Sequence, residues 1–247
     1  MSTVHFIMQG KGGVGKTFTA SLLAQYLSDN RSDDALPLRF IDTDPVNATF
    51  SQFRAWPVER LQIQDEGSTR INERRFDSLM EMLLREEADF VIDNGAASFV
   101  PLSNYLTENA AISMLVDAGR RVCVHSVITG GQGLADTING FNQTAAQMPA
   151  DVELYAWLNP YFGKIEHAGK QFKDMAVFKQ NKDRIRAVIE IPNQSSDTFG
   201  ADMRDMLEQK LTFSEAVASE NFSLMSRQRL SMVRKVVYER LDSALAA

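Results

Sequence analysis

The feature that most limits what this chain can fold into lies between residues 9 and 17, Gln9-Gly10-Lys11-Gly12-Gly13-Val14-Gly15-Lys16-Thr17. An apolar run of strand length, TVHFIMQ (3–9), leads into it without a break. A run of helical period, TFTASLLAQYLSD (17–29), leaves it, with Leu22, Leu23, Tyr26 and Leu27 on one stripe. Strand, glycine loop and helix in that order is the context in which G-x-x-x-x-G-K-[ST] signifies a phosphate-binding loop. The glycines Gly10, Gly12, Gly13 and Gly15, with Val14 between them, let backbone N–H groups converge on phosphate oxygens at the positive end of a helix. Lys16 is then the cation for the β- and γ-phosphates, and the Thr17 hydroxyl a ligand for Mg²⁺.

The rest of the chain repeats the alternation. LRFID (38–42), DFVID (89–93), RVCVHSVIT (121–129), VELYAWLN (152–159) and RAVIEIP (186–192) have the form of buried strands. Helical patterns separate them, including one over 73–87. Such alternation implies an α/β fold with a mostly parallel, helix-covered sheet. With no repeat, linker or low-complexity tract, residues 1–247 are expected to form a single P-loop domain. A net charge of −6 argues against a dedicated nucleic-acid binder, though not against a local basic patch. One cysteine, Cys123, cannot form an internal disulfide, which suits a reducing cytoplasm. No signal peptide and no apolar run of about 20 residues is evident.

Several acidic residues follow strands, where open α/β sheets bind ligands. Asp42 and Asp44 lie two apart in FIDTDPVNATF, a segment that also reads as an acidic turn. Asp93 closes an apolar strand in the Walker B form, the carboxylate that holds Mg²⁺ through water. Asn159 ends WLNPY, where a plain Asn-Pro turn is the alternative. The histidines, His5, His125 and His167, have no metal-ligand spacing; His5 and His125 fall in strands and are expected in the core. No G-x-S-x-G elbow is present, and TGGQG (129–133) is a strand-to-helix turn rather than a dinucleotide fingerprint.

The motif needs one lysine, yet Lys11 supplies a second. KGGVGKT resembles the deviant Walker A motif of the ParA/MinD superfamily of P-loop ATPases, and the D-x-D-P segment at 42–45 resembles its switch I. That resemblance implies ATP as the nucleotide and a nucleotide-dependent homodimer. It implies that Lys11 reaches the phosphates bound by the other subunit, that Asp44 positions the attacking water, and that Asp42 supports the Mg²⁺ shell. It also implies adenine recognition by Asn159, with the loop IPNQSSDTFG and its Pro192 beside the base. The NGAAS that follows Asp93 departs from the T/S-P-P or S-P-A often found in that superfamily. QGKGGVGKT, IDTDPVNATF, VIDNGAASFVPLS, TGGQG, WLNPYFGKIEH and RQRLSMVR are further similar to the TraL and StbB families of plasmid-encoded proteins. This implies an ATPase serving plasmid conjugal transfer or stability, with proteins of those systems as partners. The first strand begins near residue 3, so an N-terminal helix-turn-helix domain is not expected.

The segment SLMSRQRLSMVRKVVYERLDSALAA has a stripe of Leu230, Val233, Val237, Leu241 and Leu245 beside Arg227, Arg229, Arg234, Lys235 and Arg240. Such a helix either packs on the sheet, lies peripherally on the inner face of the membrane, or presents a basic patch to DNA. Two functions from other classes stand beside the switch ATPase: an adaptor that binds nucleotide but hydrolyses little, and a small-molecule kinase or ligase. The last is disfavoured by Lys11, by D-x-D-P and by the lack of an arginine-rich lid.

Overall fold

The computed structural model describes residues 1–193 and 195–246; Gln194, in the loop expected beside the base, and Ala247 lie outside them. In chain order the strands are β1 (Thr3–Ile7), β2 (Leu38–Asp42), β3 (Val58–Arg60), β4 (Asp89–Asp93), β5 (Arg121–Thr129), β6 (Glu153–Asn159), β7 (Glu166–His167), β8 (Lys170–Gln171) and β9 (Ile185–Glu190). The α-helices are α1 (Lys16–Asp29), α2 (Phe76–Arg85), α3 (Phe99–Glu108), α4 (Ala111–Asp117), α5 (Leu134–Gln147), α6 (Ala176–Asn181), α7 (Phe199–Glu208), α8 (Phe213–Ala218) and α9 (Leu224–Leu245). Seven strands form one sheet in the order β3-β2-β4-β1-β5-β6-β9, every pair parallel.

The expected strands are all present, with shifts at their ends. β1 stops at Ile7 rather than at residue 9, β6 begins at Glu153, and β9 spans Ile185–Glu190 instead of 186–192. The helix expected over 73–87 is a 3₁₀ turn, Glu73–Arg75, followed by α2. Two features went unforeseen: the three-residue edge strand β3, and the antiparallel hairpin β7–β8.

Alternation along the strands divides the core between the two faces. Val4, Phe6, Phe90, Ile92, Val122 and Val124 point to α2, α3 and α4. Ile7, Phe40, Val91, Val127, Tyr155 and Trp157 point to α1, α7, α8 and α9. His5 and His125 lie on that second face and are buried. The Trp157 indole N–H donates to His125 Nδ1 at 2.9 Å, and His125 Nε2 lies 3.0 Å from His5 Nδ1. Indole can only donate, so the His125 proton must sit on Nε2 and donate to His5. Burial, aided by the Arg121 charge, pulls His5 down to about 3, and burial with His5 beside it pulls His125 well down too.

The packing of α9 agrees with the first of its three readings, a helix laid on the sheet. Leu230, Val233, Val237 and Leu241 are buried against the sheet, and Leu245 packs partly on the same core. The stripe that a membrane anchor requires therefore faces inward. Its arginines are engaged as well: Arg227 donates to the Phe222 carbonyl, Arg229 to Asp202, Arg234 to Asp29 at 3.0 Å, and Arg240 to the Glu190 carbonyl. Among the described residues, no helix is long and apolar enough to cross a membrane.

Candidate functional site

Parallel register brings the acidic strand ends together. Asp42 pairs with Asp93 across β2 and β4, and Asp93 pairs with Ile7 of β1, two residues before the glycine loop begins. The loop leaves β1 and enters α1 at Lys16, with Gly15 as N-cap at φ 99°. A side chain there would be strained, and its Cβ would lie 2.6 Å from Asn159 Nδ2, so only glycine fits. Lys16 is buried and donates from Nζ to the Lys11 carbonyl at 3.0 Å, bridging the loop's two ends. Burial pulls its ammonium down in pKa, opposed by the carboxylates of Asp93 and Asp44.

Thr17 donates its hydroxyl to Asp93 Oδ2 at 2.6 Å. Asp93 Oδ1 is buried and has no hydrogen-bond partner. Burial raises the Asp93 carboxyl to about 7, against the pull of the Thr17 hydroxyl and with a further push from Asp42. Asp42 is fully buried, and its two oxygens accept the backbone N–H groups of Asp44 and Ser51, both at 2.9 Å. Burial nevertheless raises its pKa. A hydroxyl and a carboxylate with one unpaired oxygen form a hard donor set. That set suits Mg²⁺, which takes one or two carboxylates and fills its remaining positions with water and phosphate oxygens.

The remaining candidates are held in ways their motifs did not specify. Asp44 Oδ1 accepts from the N–H groups of Val46 and Asn47 at 2.9 and 3.1 Å, the bonding of a turn aspartate, while Oδ2 makes no such bond. Asn159 donates from Nδ2 to the Val14 carbonyl at 2.9 Å and accepts from Tyr161 N–H. Its amide therefore buttresses the glycine loop. Pro192 is half-buried, just after Ile191 N–H bonds the Leu158 carbonyl at 2.8 Å. The Lys11 Nζ lies 2.8 Å from Asp136 Oδ2 in the first turn of α5. Both partners are about half exposed.

No protein-family model matches the chain. Two curated relatives, each called protein TraL and each from Escherichia coli, are 47% and 46% identical to it over 244 residues. In both cases the match spans 99% of this chain and 99% of the relative. The chain belongs to the TraL family. Among solved structures, this TraL-family protein resembles the MinD cell division protein of Aquifex aeolicus, with a TM-score of 0.50 and 13% identity over 98% of this chain and 97% of that one. At that identity the likeness speaks for the fold alone, a parallel, helix-covered sheet like that of MinD.

In the TraL-family chain, three further residues shape the site without a motif to announce them. A Cβ on Gly95 would lie 2.7 Å from Asp44 Cγ, so the small residue after Asn94 admits the Asp44 carboxylate. Asn94 Oδ1 lies 2.6 Å from Ser98 Oγ and 3.0 Å from Thr43 Oγ1, tying the loops that follow β2 and β4 together. The NGAAS sequence that departs from the superfamily pattern is thus a close-packed joint between those loops. Asp136 was likewise invisible, because only the fold brings α5 next to the glycine loop.

Proposed function

We propose that this protein is a cytoplasmic, Mg²⁺-dependent ATPase switch that dimerises around bound ATP and serves plasmid conjugal transfer or plasmid stability, acting on proteins of those systems. The observation that carries this reading is Asp93. It holds the Thr17 hydroxyl on one oxygen and keeps the other buried and unpaired beside a glycine loop that already carries a buried ammonium. An unpaired buried carboxylate oxygen is costly and is retained where a cation or its water shell is to be met. In this reading the N–H groups of residues 10–17 and Lys16 hold the phosphates. Thr17 and Asp93 hold Mg²⁺ with Asp42 behind them, and the metal's contribution is to neutralise phosphate charge. Asp44 offers Oδ2 to the attacking water. Lys11, exposed, swings from Asp136 to the partner subunit's phosphates, where a cation stabilises charge that develops as the γ-phosphoryl group leaves. Adenine rests near Pro192 and the loop that Asn159 braces.

A second reading, a nucleotide-binding adaptor with little hydrolysis, is favoured by the turn bonding of Asp44 Oδ1. Calorimetry with Mg·ATP, phosphate release across a range of protein concentrations, and light scattering separate the two. The switch gives saturable binding, dimers with ATP, and turnover that rises with concentration. Lys16→Ala removes charge-assisted contacts worth about 1.5–3 kcal/mol, weakening binding about tenfold or more. Binding and dimerisation with background turnover leave the adaptor, and no binding by the wild type ends both readings.

A further inference from the structure

Five of the nine lysines lie between residues 164 and 182, at Lys164, Lys170, Lys173, Lys179 and Lys182. All five are exposed, and among the described residues none of their ammonium groups makes a hydrogen bond or ion pair. Every other lysine is engaged: Lys11 with Asp136, Lys16 with the Lys11 carbonyl, Lys210 with the Leu207 carbonyl, and Lys235 with Glu239. Residues 163–186 hold seven Lys and Arg against three Asp and Glu; the rest of the chain holds nineteen against twenty-nine. An acidic protein therefore gathers its free ammonium groups on and beside one small element, the hairpin β7–β8. Ala168 and Gly169, at φ 50° and 74°, make its tight turn and hold His167 opposite Lys170.

Beneath the hairpin lies a cavity of about 420 Å³. Its apolar floor includes Leu158, Ile165, Phe172 and Ile191, and Lys164, Lys173 and Arg240 stand among its lining residues with Glu166 and Glu190. The volume admits a large apolar side chain with room to spare. We propose that the hairpin and this cavity form a docking site for a short acidic segment of a partner protein, with one apolar side chain of that segment seated in the cavity.

Charge complementarity selects the anionic class, and the surroundings select its length. Glu166, Asp174 and Asp183 interrupt the lysines, and the acidic remainder of the chain repels any polyanion that runs beyond them. Screening confines attraction to within about 8 Å at physiological salt, so a compact acidic segment gains from the lysines without meeting that repulsion. A long phosphate backbone does not. The cavity's apolar floor adds a preference that a bare polyanion cannot use.

The test uses a fluorescein-labelled decapeptide of glutamates with one central phenylalanine, and the same peptide with alanine there, in fluorescence anisotropy with the full chain. The expected result is saturable, salt-sensitive binding, weakened about tenfold or more by the triple change Lys164→Glu, Lys170→Glu, Lys173→Glu. Reversal of Arg54, Arg70 and Arg74 to Glu elsewhere should shift it less than about twofold, and the alanine peptide should bind more weakly. If the triple reversal does not fold by circular dichroism, Lys→Gln at the same positions serves, with a loss of about threefold or more. No saturable binding by the wild type, equal binding by the hairpin variant, or tighter binding of a ten-nucleotide oligonucleotide or of anionic vesicles overturns the proposal. Lys16→Ala should bind the peptide like the wild type, so the result stands apart from the nucleotide reading.

Discussion

Lowering the pH from 7.5 to 5.5 should load the buried pair His5 and His125 with a cost that the structure allows to be worked out. Both imidazoles are held neutral in the fold, His5 down to about 3 by burial and His125 well below its ordinary value. In the unfolded chain each titrates near 6.5. Between about pH 6.5 and 3 the unfolded state therefore binds more protons, and stability falls as the pH falls. Two pH units spanning 6.5 make this about 1–2 kcal/mol per histidine. Asp93 opposes it. Its folded pKa of about 7 lies above the unfolded value, so its contribution is lost as pH rises through 7 and regained as pH falls. The wild type should consequently show little net change, and the informative quantity is a difference. His5→Gln keeps an acceptor for His125 Nε2 but removes one titrating ring. On thermal melts it should be less stable than the wild type at pH 7.5. On acidification its melting temperature should then shift upward relative to that of the wild type, by about 3–5 °C for a chain of this size. Superimposable pH dependences in the two proteins would refute the buried, neutral assignment.

Gly15→Ala should lower stability by about 1–2 kcal/mol from the left-handed strain alone, and should abolish Mg·ATP binding in calorimetry because the Asn159 brace is displaced. Leu241→Ala, at a fully buried position of α9, should cost about 2–5 kcal/mol in denaturant unfolding; a loss below about 0.5 kcal/mol, as at a surface site, would reopen the membrane reading. Asp136→Asn should free Lys11 and, if that lysine acts across a dimer, raise ATP turnover at low protein concentration, whereas Lys11→Ala should bind ATP but not turn it over. Equal turnover in all three proteins would reduce Lys11 to a loop lysine.

What was legible in the chain follows from where the information is local. Strands such as DFVID and RVCVHSVIT are apolar on both faces because helices cover both, so composition and length reveal them. The edge strand β3 is only Val58-Glu59-Arg60, one half-buried residue and two exposed ones, and carries no apolar run to find. The hairpin β7–β8 is polar and exposed for the same reason, and its signal was the Ala168–Gly169 turn. In the site, Lys16 and Thr17 open α1 and Asp93 closes β4, positions that the local sequence pattern makes legible. The side-chain bonds of Lys11 and Asn159 reach α5 and the Val14 carbonyl, distant segments that only tertiary packing brings near, and the Asp44 carboxylate has its space only because Gly95 carries no side chain.

Helix α9 carries a consequence for how the molecule is made. It covers strands laid down as early as β1 and is pinned to α1 through Asp29 and Asp242, to α7 through Asp202 and to β9 through Glu190. Chains emerge from the ribosome amino end first and fold in that order where they can. The face beneath α2, α3 and α4 can close while synthesis continues, but the face beneath α1 lacks its cover until residue 245 is clear of the exit tunnel. During that interval Tyr155, Trp157 and the histidine pair lie under an incomplete roof, and a nascent chain halted before Leu224 should be a client for chaperones that grip exposed apolar surface.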